Sequence, residues 1–303
     1  MPAGCHLFSM VPPRPFVILV FILLAWAPLS GYAQELTELE TTAESGQTAK
    51  RPSYLDIGLG VNFATFRDFA TSPLFYSGRP LYAALGQIGM DDQRESQIRF
   101  AYSIGTFSTD FNGNDARSTV RTFTLNYLEL FQLKALSTDR LNFKLGGQLN
   151  ATANRRTSED FFNNGEGFDL IATLFGSVKA TLDVSRTSDK ERRFLFWNYL
   201  AKKRTRTLAY SLNVGIVNSS FRNGFAYTNA SAVINEDDFF VDYEWMLFRG
   251  FRLNSALDYT FFLKNGNAVQ FSYLWDAYRT AGHHDNFEMA THILKCSLLF
   301  SLR

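Results

Sequence analysis

The sequence predicts an all-β chain, an antiparallel barrel whose strands cross a membrane. Three observations carry this. From Tyr54 onward, apolar and polar residues alternate in stretch after stretch, the period of a strand with one face in an apolar medium and one in a polar medium. Several stretches run well past the five or six residues usual in soluble sheets, towards the 9 to 11 that a tilted strand needs to span a bilayer. No helical pattern intervenes to cover the apolar faces, which leaves lipid as the cover.

Composition agrees. Of 303 residues, 46% are hydrophobic and 16% aromatic, with 30 Phe and 13 Tyr, a share that suits interfacial aromatic girdles. A mean hydropathy of -0.12 excludes a bundle of transmembrane helices, each of which needs about 20 apolar residues. A membrane barrel passes that test because every second residue faces its lumen. The formal net charge of +1 gives no reason to expect a nucleic-acid partner. The two cysteines, Cys5 and Cys296, exclude a disulfide framework.

The chain opens with Arg14 and an apolar run, Phe16 to Ala27, followed by Gly31-Tyr32-Ala33 before Gln34. This has the form of a cleaved secretory signal peptide over 1–33, with Met1 or Met10 as its start. Residues 34–52 are polar and aperiodic, and read as a flexible leader. The barrel is expected over 53–303. In its first strand Leu55, Ile57, Leu59, Val61 and Phe63 oppose Asp56, Gly58, Gly60, Asn62 and Ala64. Further strands are expected near Leu81–Met90, Ser96–Ser108, Thr119–Ala135, Leu141–Asn154, Asp169–Ser185 and Thr207–Ile216. Short polar turns, such as that at Asn265-Gly266, alternate with longer connections at 67–79, 111–118, 155–168, 218–224 and 280–286, the short-turn, long-loop rhythm of membrane barrels.

The last third admits two counts. Taking 225–234, 239–248, 251–263, 268–278 and 286–302 as separate strands gives about 12. Joining 239–263 across a bulge at Gly250, with 225–234 as loop, gives about 10. Residues 188–206 combine Arg192, Arg193, Lys202, Lys203, Arg204 and Arg206 with Phe194 to Leu200; an amphipathic helix on the membrane surface and an ordinary turn with interfacial aromatics both fit.

The final strand sets Leu294, Cys296, Leu298, Phe300 and Leu302 against Lys295, Ser297 and Ser301. An apolar strand face ending at the C-terminus, with an aromatic close by, resembles the closing strand of Gram-negative outer-membrane β-barrels. The resemblance extends over 53–303 and is one of architecture; Phe300 stands three residues before the end. It implies outer-membrane localisation, both mature termini in the periplasm, outer-membrane lipid as surroundings, and the barrel-assembly machinery as a partner through the last strand.

Function is expected in the lumen. Residues opposite the lipid set include Arg99, Lys144, Lys179, Asp242, Glu244, Arg252, Asp258, Gln270 and Asp276. Both signs are present, so a narrow pore for a small solute and a barrel filled by its own paired charges are both open; loops such as 160–165 and 221–227 carry aromatics for a surface ligand. The alternative is a lipid hydrolase of phospholipase or lipid A deacylase type at the rim. That chemistry needs a nucleophile within hydrogen-bond reach of a base, and the candidates are Ser272 or Ser297 with His283 or His292. By alternation, however, His292 shares the lipid-facing side of Leu294. Adjacent imidazoles and a carboxylate at His283, His284 and Asp285 are metal-ligand types, but neighbours in an extended loop point apart, and no metal or cofactor is expected.

Overall fold

In a computed structural model, residues 51–303 are described except 112–113, 159, 161–165, 187, 195–196, 202, 224–242, 282–285 and 303. The expected signal peptide and all of the leader except Arg51 and Pro52 lie outside the described residues, as do Asp242 and the His283-His284-Asp285 group. The described strands are β1 (Ser53–Asp68), β2 (Ser72–Gly78), β3 (Leu81–Met90), β4 (Arg94–Phe111), β5 (Asn114–Gln132), β6 (Leu141–Thr157), β7 (Glu166–Asp183), β8 (Lys190–Phe194), β9 (Trp197–Ala201), β10 (Arg206–Asn223), β11 (Tyr243–Met246), β12 (Phe251–Phe262), β13 (Ala268–Arg279) and β14 (Phe287–Leu302).

Twelve of these segments form one antiparallel sheet that closes on itself. The last strand pairs with the first in unbroken register from Ser53↔Leu302 to Asp68↔Phe287, and β7 pairs with β10. Among the described residues closure leaves no unpaired strand edge along the wall except at the short β11, which pairs with β10 alone; a bilayer would not tolerate an open edge.

The twelve segments make ten staves, because two staves are interrupted. β2 and β3 share the place between β1 and β4, and break at Arg79-Pro80, since proline offers no ladder N–H. β11 and β12 share the other edge of β10. Between them Phe248 and Gly250 take φ of 56° and 97°, and a Cβ on Gly250 would stand 2.7 Å from the Arg279 carbonyl oxygen. The smaller of the two expected counts therefore describes the barrel; residues 225–234 lie outside the described residues.

The alternation read from sequence holds along the wall. Ile57, Leu59, Val61, Phe63, Leu145, Leu149, Leu294 and Leu298 are exposed on the outside, while Asp56, Asn62, Gln148, Asn150, Lys295 and Ser297 are buried within. One end of the barrel carries Ser53, Leu302 and the connections 91–93, 133–140, 184–205 and 263–267; the other, called the long-loop end for 224–242, carries 69–71, 112–113, 158–165 and 280–286 as well. At this second end the strands continue beyond the expected limits. β2 occupies much of the expected 67–79 loop, and β4, β5, β6, β7 and β10 extend into the others. At the terminus end, Lys190–Phe194 and Trp197–Ala201, within 188–206, pair as a two-stranded hairpin, β8–β9, where a helix or a simple turn was expected; it follows the β7–β10 ladder, which Val184 N–H extends to the Arg206 carbonyl at 3.0 Å.

Val178 tests the outer face. It is exposed between Leu145 and Leu212 on neighbouring strands. Val178→Arg is expected to cost about 2–4 kcal/mol in reversible unfolding from phosphatidylcholine vesicles, and nearly nothing if this face does not meet hydrocarbon.

Candidate functional site in the lumen

The barrel interior is divided by height. At the long-loop end the inward positions carry an aromatic cluster: Phe66 stacks on Tyr76 at 5.1 Å between ring centroids, meets Phe107 edge-on at 5.2 Å and approaches Phe287 at 5.8 Å. Val120, Ile171, Tyr278 and Met289 complete it.

Packed against these rings are four buried charges from four staves. Arg222 on β10 is fully buried. Its Nη2 donates to Asp68 Oδ1 at 2.7 Å, its Nε to Asp169 Oδ1 at 3.2 Å and its Nη1 to Thr280 Oγ1 at 3.4 Å. Arg156 on β6 reaches Asp68 Oδ2 at 2.8 Å and pairs with Asp169 as well. Its guanidinium lies over the Phe287 ring at 4.5 Å. Two cations and two anions balance. Asp68 stands on the first stave, Arg156 on the fifth, Asp169 on the sixth and Arg222 on the seventh, so the contacts of Asp68 with Arg156 and Arg222 cross the lumen, while Asp169 joins the two arginines from the stave between them.

The cluster depends on an irregularity of β10. A shift in register between Gly215 and Val217 turns the strand by one residue. Below it Ala209 and Asn213 face inward; above it Asn218, Ser220 and Arg222 do. Without the bulge, Arg222 would point into lipid with Tyr210 and Val214.

Beneath this seal Arg252 reaches over from β12 to β6. It donates to Asp276 at 3.1 and 2.6 Å, to Asn150 Oδ1 at 2.5 Å and to Thr152 Oγ1 at 3.1 Å. Tyr278 accepts from Asn154 at 2.9 Å. A cavity of about 700 Å³ follows, lined from Arg252, Tyr278 and Met289 to Pro52, Asp91, Asp92 and Arg140 at the terminus end. Each of two carboxylates in this part of the lumen is shared by two cations: Glu95 with Lys179 at 2.6 Å and Lys144 at 3.7 Å, and Asp56 with Arg99 at 3.2 Å and Lys295 at 3.3 Å.

Of the residues singled out from sequence, Arg99, Lys144, Lys179, Arg252, Asp258, Gln270 and Asp276 line this cavity. Glu244 is exposed on β11 and lies outside that lining. Phe221 packs on Tyr243 and Trp245, with centroids 5.2 and 4.8 Å apart; Asp160 is exposed and accepts the Arg117 N–H at 2.5 Å. Ser272 and Ser297 are buried on the inner face, whereas His292 is on the outer face. The imidazole Nδ1 lies 2.7 Å from the Tyr273 hydroxyl. The wall separates each serine from His292, so no pair with His292 is assembled; the other expected base, His283, lies outside the described residues. Sequence reasoning missed Asp68, Arg156, Asp169 and Arg222; inward parity marked all but Arg222.

The charge cluster yields a double-variant test. Removing one member of a buried, paired set strands its partner at about 3–5 kcal/mol. Arg222→Met alone should lower the unfolding free energy by that order. Asp68→Leu with Arg222→Met leaves Arg156 paired to Asp169 and should recover most of the loss in the same denaturant titration.

No protein-family model matches the chain, and no curated protein matches it. Among solved structures, the chain is similar to the outer membrane protease OmpT from Escherichia coli, at 11% identity and a TM-score of 0.50, over 84% of this chain and 99% of that one. It also aligns with the translocator domain of the autotransporter NalP from Neisseria meningitidis at 7% identity and a TM-score of 0.37, over 89% and 96%. An outer membrane channel from Pseudomonas putida F1 aligns at 11% identity and a TM-score of 0.28, over 85% and 100%. At these identities the likeness is one of fold, and the fold is that of the Gram-negative outer-membrane β-barrels.

Proposed function

We propose that this protein is an integral outer-membrane barrel, both termini in the periplasm, whose lumen is plugged toward the cell surface and open as a vestibule toward the periplasm. The observation that carries the reading is the pairing of Asp68 across the lumen with Arg156 and Arg222, which Asp169 joins from the stave between them, backed by the rings of Phe66, Tyr76, Phe107 and Phe287. The about 700 Å³ cavity ends beneath them. The orientation follows from the resemblance to outer-membrane barrels, which implies that the end of the wall carrying Ser53 and Leu302 faces the periplasm. A plugged barrel with binding loops is thus favoured over a standing pore. The lipid-hydrolase alternative finds no support in the placement of Ser272, Ser297 and His292.

Conductance in planar bilayers tests this. Folded wild-type protein, verified by heat-modifiable gel mobility, should give no steps. A triple variant, Arg156→Ala, Arg222→Ala and Phe287→Ala, should give steps of reproducible size. Steady conductance from the wild type would sink the plugged reading.

A further inference from the structure

The vestibule holds more charge than its ion pairs consume. Glu95 is shared by Lys144 and Lys179, and Asp56 by Arg99 and Lys295, so each group keeps one positive charge over. Asp258 on β12 has the opposite excess. It lines the cavity, half-buried, and among the described residues no cation lies within ion-pair reach of it. It stands on the eighth stave, diametrically opposite Arg99 on the third, and its charge acts across the gap on Arg99, Lys179 and Lys295. At the mouth, the lining carries Asp91, Asp92, Asp139 and Asp183 against Arg140. That rim repels a free anion, and the surplus within repels a free cation. A molecule bearing both signs meets neither barrier. Amide side chains line the same cavity. Gln148 and Asn150 both donate to Asn126 Oδ1, at 2.9 and 2.5 Å, and Asn213 donates to Asn254 Oδ1 at 2.8 Å. Among the described residues, the amide N–H groups of Asn126 and Asn254 and the carbonyl oxygens of Gln148 and Asn213 have no bond. These are the donors and acceptors that a peptide group pairs with.

We propose that the vestibule binds a short zwitterionic peptide, its ammonium group on Asp258, its carboxylate on the surplus charge of Arg99 and Lys179, and its backbone against the amides. Each end then makes a charge-assisted contact that the empty lumen leaves unmade. The cavity, about 700 Å³, is of the size that holds small ligands. Its recognition groups stand whichever way the barrel is oriented; entry from the periplasm rests on the reading above.

Trialanine is the probe, titrated by calorimetry into protein refolded in neutral detergent and checked by heat-modifiable gel mobility. It should bind, and capping its amine as N-acetyl-trialanine should weaken binding by about tenfold or more. Capping its carboxylate as the amide should do the same. Asp258→Asn should bind free and N-acetylated trialanine alike, because the amine has lost its carboxylate. An acetylation penalty that persists in Asp258→Asn overturns the role of Asp258. No binding by folded wild type at about 10 mM trialanine overturns the site. Equal binding of free and capped peptides overturns the zwitterion, and putrescine or acetate bound as tightly overturns the peptide. Should Asp258→Asn not fold, the capped peptides on wild type still decide. Conductance separates this inference from the reading it extends: steady wild-type current would overturn the plugged lumen and leave these titrations standing.

Discussion

Closure of the hydrogen-bond ladder is the constraint on which the rest of this molecule depends. A strand in hydrocarbon has no water to satisfy its N–H and C=O groups, so every edge must find a partner. Here the continuous β1–β14 register and the β7–β10 pairing supply the last two. Once the ladder closes, alternation leaves each side chain only two places, lipid or lumen. Ten staves give a lumen slightly wider than the eight-stranded case that side chains just fill. Long side chains can therefore meet across it, and shorter ones leave a cavity.

That difference separates the two halves of the interior. At the long-loop end the inward residues are arginines and aromatics, whose planar groups span the gap and stack, as Arg156 does on Phe287. Towards the terminus end they are Thr, Asn, Ser and Gln with lysines held to Glu95 and Asp56, and the space stays open. The seal is neutral within itself, which removes the cost of an uncompensated charge in a water-poor region.

Much of this was legible in the sequence, for a physical reason: within the lipid belt the two faces meet different solvents, so β1, β6 and β14 announce themselves by alternation. Beyond the belt both faces meet polar surroundings and the signal vanishes. This is why β2, with Ser72, Ser77 and Gly78 at its ends, and the polar extensions of β5 and β7 read as loop. The β8–β9 hairpin was hidden because its cationic and aromatic residues fit any interfacial element. The lumen residues from Arg99 to Asp276 could be placed by parity, but their partners could not, since a bond from stave one to stave seven leaves no trace in sequence spacing. Arg222 was hidden twice over, by the distance to Asp68 and by the bulge at Gly215–Val217 that reverses its side.

The two parts of the seal contribute differently to keeping it shut. If water entered, the four charges would exchange one another for hydration, and the lost attraction would be largely offset by recovered solvation; buried ion pairs sit close to that balance. The rings have no such exchange. Phe66, Tyr76, Phe107 and Phe287 would each expose an apolar surface of roughly 150–250 Å², at about 25 cal/mol per Å², and no hydration returns that loss. The aromatics therefore set the free energy of the closed lumen, and the arginine–aspartate cluster fixes the arrangement in which they close it. An opening of this barrel would have to relocate the rings; breaking the ion pairs alone would leave it sealed.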